Sequence, residues 1–102
     1  MDNVTVVPEV VETFGATSAA MAAAVGAAGS INAAANTAVM VPVFGVIGQE
    51  FLASFIVAQA NHLLSVGNLA AVHAGSAAAT FAGLAQFQAE DASSGAAIRS
   101  VL

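Results

Sequence analysis

Two runs without a single charged side chain, Thr13 to Gln49 and Phe51 to Ala89, occupy most of this chain. Both are dominated by alanine, the residue with the strongest intrinsic preference for helix. The charges gather at the ends, with Asp2, Glu9 and Glu12 in front, Glu90, Asp91 and Arg99 behind, and Glu50 alone between. A proline-bearing segment, Val41-Pro42-Val43-Phe44-Gly45, interrupts the first run near the middle of the sequence. Such a chain has one economical solution, an all-α antiparallel hairpin of two long helices. Its apolar surface exceeds what two helices can hide from each other. Pairing into a four-helix bundle is therefore expected.

The 102 residues fall within the size of a single domain, taken as residues 1–102. Hydrophobic residues make up 59% and charged residues 7%, against roughly 45–50% and ~25% in ordinary globular domains. A surface so poor in charge calls for a cover in the working state. The net charge of -5, with one Arg and no Lys, excludes a nucleic-acid binder, because phosphate contacts depend on Lys and Arg. Docking on anionic lipid is disfavoured for the same reason. The absence of Cys removes disulfides and thiolate metal sites.

A mean hydropathy of +0.89 raises membrane insertion as the alternative reading. It derives mostly from alanine, which offers little apolar area to lipid. The richest window, Val39 to Val57, contains Pro42, Gly45, Gly48, Gln49 and Glu50, and a charge near a helix centre costs about 2.5–3.5 kcal/mol. The acidic N-terminus lacks the basic-then-apolar pattern of a cleavable signal peptide.

Along the chain, Met1 to Val7 reads as an extended lead-in. Pro8 suits a first helical position, and Glu9 and Glu12 complement the helix dipole in the first turn. Val11, Phe14, Met21, Val25 and Ala28 then follow a three-four spacing, interrupted by Ser18. The first helix is expected over about 8–36, with a weak point at Gly26-Ala27-Ala28-Gly29-Ser30. The turn is expected over about 37–46, where Pro42 stops the helix, Gly45 supplies a turn conformation and Phe44 plugs the tip. The second helix is expected over about 47–91, followed by a short tail, 92–102, because Ser93-Ser94-Gly95 ends it. One of its stripes carries Phe51, Phe55, Ala58, His62, Val66, Leu69, His73, Ala77, Leu84 and Phe87. A second carries Leu52, Ile56, Leu63, Ala70, Ala74 and Phe81. The first helix covers only one of them, so Phe51, Leu52, Phe55, Ile56, Leu63, Phe81 and Leu84 are the candidate contacts for a second helical hairpin, in a homodimer or a heterodimer.

No constellation for catalysis emerges. His62 and His73 share a face but lie eleven residues apart, about 16 Å along a helix, too far to share a metal. Glu90 and Asp91 are adjacent and diverge by about 100°. No nucleophile elbow, phosphate-binding glycine loop or metal-ligand spacing is present. Neither enzymatic activity nor a cofactor is expected.

Val7-Pro8-Glu9 near the start and Phe87-Gln88-Ala89-Glu90-Asp91 near the end bracket this hairpin. The arrangement resembles the small helical substrates of mycobacterial type VII (ESX) secretion, above all the EspC-like proteins. The Val43-Phe44-Gly45-Val46-Ile47-Gly48 turn followed by Phe51 favours that group, while the Pro8-Glu9 opening is also similar to the PE family, whose members partner a larger helical protein. The resemblance implies a secreted or cell-envelope protein, exported without a cleavable signal peptide and engaged by a secretion ATPase or chaperone. These families carry a Tyr-x-x-x-Asp/Glu secretion signal just after the second helix. Here Phe87 stands at the aromatic position and Asp91 at the acidic one, so the hydroxyl of that signal is absent. The Trp-x-Gly turn of the related dimeric substrates is absent too, and Val43-Phe44-Gly45 occupies its place.

Overall fold

The computed structural model describes residues 3–30 and 32–102; Met1 and Asp2 of the expected lead-in, and Ile31 of the expected first helix, lie outside them. Three helices follow in order, α1 (Pro8–Ala28), α2 (Ala33–Phe44) and α3 (Gln49–Ser100), with no strand among the described residues. α1 and α2 together form one arm of a hairpin and α3 the other, in a rod of 85 × 21 × 21 Å. The arms run antiparallel: Gly15 meets Phe81, Gly29 meets Val66, Asn36 meets Gln59 and Phe44 meets Phe51.

Local chemistry sets the helix starts. Val7 is extended (φ -96°, ψ 108°) and its carbonyl accepts from the N–H groups of Val10 and Val11, with Pro8 opening α1 behind it. The first arm is not the single helix expected over 8–36. α1 ends at Ala28 and a separate helix, α2, begins at Ala33, where the Asn32 side chain caps it by accepting from the Ala35 N–H at 2.9 Å. Gly26, Gly29 and Ser30 weaken the helix there, and an Asn with a helix-capping side chain offers the backbone a restart.

The turn is shorter than the expected 37–46. α2 continues to Phe44 with Pro42 inside its last turn, so Pro42 does not exclude helix here. The missing N–H of a proline frees the carbonyl four residues earlier, Ala38, and both residues are exposed, so water can satisfy it. The reversal itself uses Gly45 (φ 56°, ψ -154°), a backbone conformation that side-chain-bearing residues avoid. Behind it Phe44 packs on Phe51, ring centroids 4.9 Å apart and planes tilted by 37°.

α3 does not stop near Asp91 but runs 52 residues to Ser100. Ser93, Ser94 and Gly95 are weak formers, each costing at most about 1 kcal/mol. Ala92, Ala96 and Ala97 offset them, and no proline enforces a stop. Arg99, in the last turn where a cation complements the dipole, donates from Nε to the Gly95 carbonyl at 3.2 Å.

The seam between the arms is made of small residues. On the first arm every third or fourth residue is buried or half-buried: Val11, Gly15, Ser18, Ala22, Val25 and Gly29, then Ala33, Thr37, Met40 and Phe44. Phe14, Met21 and Ala28, expected in the buried stripe, point outward, with Phe14 60% exposed. The physical reason is proximity. A Cβ on Gly15 would lie 2.7 Å from Phe81 Cε1, and one on Gly29 would overlap the Val66 side chain. Backbones that close leave no room for Phe or Met between them. On α3 the matching row runs through Leu52, Gln59, Leu63, Val66, Ala70, His73, Ala77, Thr80 and Leu84, drawing on both expected stripes. The Asn36 amide donates to Gln59 Oε1 at 3.4 Å within it. Among the described residues only Leu52, Ala77 and Leu84 are buried apolar side chains. At about 1.5–3 kcal/mol per fully buried leucine, the hairpin has a thin core.

Candidate protein-association surface

Antiparallel helices sharing a seam present two flanks, because the residues just before and just after each seam position lie about 100° to either side. In an antiparallel pair the residues preceding the seam on both arms share one flank, and those following it share the other.

The first flank is aromatic. From the first arm it takes Val10, Phe14 and Met21, and from α3 Phe51, Phe55, Leu69 and Phe87. Phe51 is 56% exposed and Phe87 55%, while Phe55 is half-buried. Thr17, His62, Ser65 and Ser76 interleave polar atoms. The second flank is flatter. On α3 it runs from Ala53 to Ala85 in alternating steps of four and three, through Val57, Ala60, Leu64, Gly67, Ala71, Ala74, Ala78 and Phe81. All ten are exposed and none is polar. Ala16, Ala19, Ala23 and Gly26 of α1 lie beside them, equally exposed.

The seven candidate contacts thus separate. Phe51 and Ile56 are exposed, Phe55 and Leu63 are half-buried, and Phe81 is exposed at its edge while its ring lies over Gly15. Leu52 and Leu84 are corrections: both are buried in the chain's own seam and unavailable to a partner. The outward row of α3 went unrecognised in the sequence because Ala and Gly dominate it, although its four-three spacing is legible there.

Phe87 and Asp91 lie one turn apart on α3 and both are exposed. They sit inside the helix, nine residues before its end at Ser100, and not just after it. The antiparallel register brings the lead-in alongside, so Val4, Thr5 and Val6 line an open cleft together with Phe87 and Asp91. Gly83, Gln86 and Glu90 line a second hollow on Phe87. The aromatic and the carboxylate are thus presented on a rigid helix beside an extended segment.

His62 is exposed and His73 half-buried on the seam, and no group of three metal-ligating side chains occurs among the described residues. By length and composition, both the Pro8–Phe44 arm and α3 would be able to cross a membrane.

A family model described as "Excreted virulence factor EspC, type VII ESX diderm" matches residues 1–100. No curated protein and no solved structure shows significant similarity to the chain.

Proposed function

We propose, from the premise that this chain belongs to the EspC family of excreted type VII ESX proteins, that it is exported by such a system and acts by binding other helices and not by catalysis. The match over residues 1–100 carries the reading, because it spans both arms and the Phe87–Asp91 pair. Phe87 supplies aromatic bulk and Asp91 a carboxylate for a secretion ATPase or chaperone, the lead-in forming the adjoining wall of the cleft. A helical hairpin of the same or another protein then covers an apolar flank to complete a four-helix bundle.

The thin core supports association as the working mode. Exposed Phe14, Phe51 and Phe87 provide the aromatic anchors that dominate protein interfaces. The test of export is Asp91→Ala and Phe87→Ala, followed in the culture filtrate of a bacterium carrying a type VII system. Both variants should remain in the cell with unchanged helicity. Normal export of both would refute the signal.

The length and apolar composition of the two arms favour a second reading, insertion into a bilayer. Liposome flotation decides it: co-flotation of the purified chain supports insertion, and recovery wholly in the aqueous fraction removes it.

A further inference from the structure

We propose that the flat flank of α3 pairs two copies of this chain antiparallel about a dyad between Gly67 and Ala71. This rests on the reading of the chain as a protein that works by helix association, and it names the partner and the register. The aromatic flank stays free for a different partner.

The flank has the extent a stable dimer needs. Ala53 and Ala85 are separated by about 48 Å at 1.5 Å per residue, and the hairpin is 21 Å wide. Together they offer roughly 1,000 Å² per copy, against the ~800 Å² per partner of standard interfaces. No charge lies within its α3 row, since α3 carries none between Glu50 and Glu90; on α1 the flank ends at the exposed Glu12, beside its Ala85 end. Desolvation of the row therefore buries no ion, whereas the polar Ser54, Asn61, Asn68 and Gln86 follow the back of α3, outside the contact.

Self-pairing follows from the order of side chains. A two-fold interface must match its own surface read in reverse. The steps of four and three from Ala53 to Ala85 read the same from either end. Antiparallel alignment sets Leu64 opposite Ala74, Val57 opposite Phe81 and Gly67 opposite Ala71, so each bulky side chain meets a smaller one and the axes stay evenly spaced. Parallel alignment would stack Phe81 on Phe81 and Gly67 on Gly67, forcing the helices apart at one level and leaving a void at another. The glycine supports the same picture, because nothing in the chain approaches within 4 Å of where a Gly67 Cβ would stand. The fold itself does not need it bare, and a bare backbone there admits a second helix at close approach.

The chain contains no cysteine, which makes the register directly readable. Ala53→Cys and Ala85→Cys variants are purified separately and oxidised alone and as an equimolar mixture. A disulfide-linked dimer from the mixture, and none from either variant alone, is expected. Self-linking of Ala53→Cys would overturn the antiparallel register. Light scattering of the unaltered chain should give about twice 9.9 kDa, and a monomer at micromolar concentration would overturn the interface. Ala71→Glu places a carboxylate on each side of the dyad and should weaken the dimer at least tenfold, since an unpaired charge is costly to bury; unchanged dimerisation of that variant would also overturn the proposal. Export is read separately, so a monomer that is still secreted would reject this interface and leave the family function standing.

Discussion

Glycines occur on both arms of the hairpin, and they answer to different neighbours. In α1, Gly15 faces the Phe81 ring and the capping Gly29 faces Val66, each so close that a methyl group would collide. In α3, Gly67, Gly75 and Gly83 have open space where a Cβ would be. An interior helical glycine costs about 1 kcal/mol relative to alanine. The first arm accepts weak helix in return for close approach of the two backbones. α3 accepts the same cost three times with no contact inside the chain to explain it. The first arm is therefore shaped by the hairpin seam, and α3 must also be read for what lies outside it.

The largest effect should come from the seam itself. Leu84→Ala removes one of the few buried apolar side chains and should cost about 2–3 kcal/mol, measured by urea unfolding at fixed protein concentration. Gly29→Ala should cost about 1–3 kcal/mol through overpacking, because its Cβ would sit 2.8 Å from the branched Cβ of Val66, which cannot swing aside. A gain in melting temperature for this variant would break the contrast between the arms. Gly75→Ala should do the opposite and stabilise by about 0.5–1 kcal/mol, seen as a rise of a few degrees in the circular-dichroism melt. A loss of stability there would place an unseen close contact on α3.

The helical content and the hairpin were legible in the charge-free runs, because so much alanine with one break near the middle favours two long helices folded back on each other. The seam was misread in its details. Phe14 and Met21 look like core residues by hydrophobicity, yet Gly15, Ser18 and Ala22 occupy the seam. Size decides at a helix–helix distance that a list of apolar residues does not contain. The same limit explains Leu52 and Leu84, which read as partner contacts until the register placed them inside the chain. Pro42 and Ser93-Ser94-Gly95 were read as stops, but one residue with a missing donor near a solvated helix end, or three weak formers among alanines, shift the balance by too little. Phe87 and Asp91 were legible as a pair through the family resemblance, while their seat within the helix was not.

Sequence alone determined that this protein would be a helical rod with apolar flanks, since those follow from composition, charge placement and period. Tertiary structure decided which residues meet. The antiparallel register pairs side chains more than sixty positions apart, Gly15 with Phe81 for one, and it fixes which flank is left bare. That choice rests on how closely two backbones can approach, a quantity set jointly by both arms and carried by neither one.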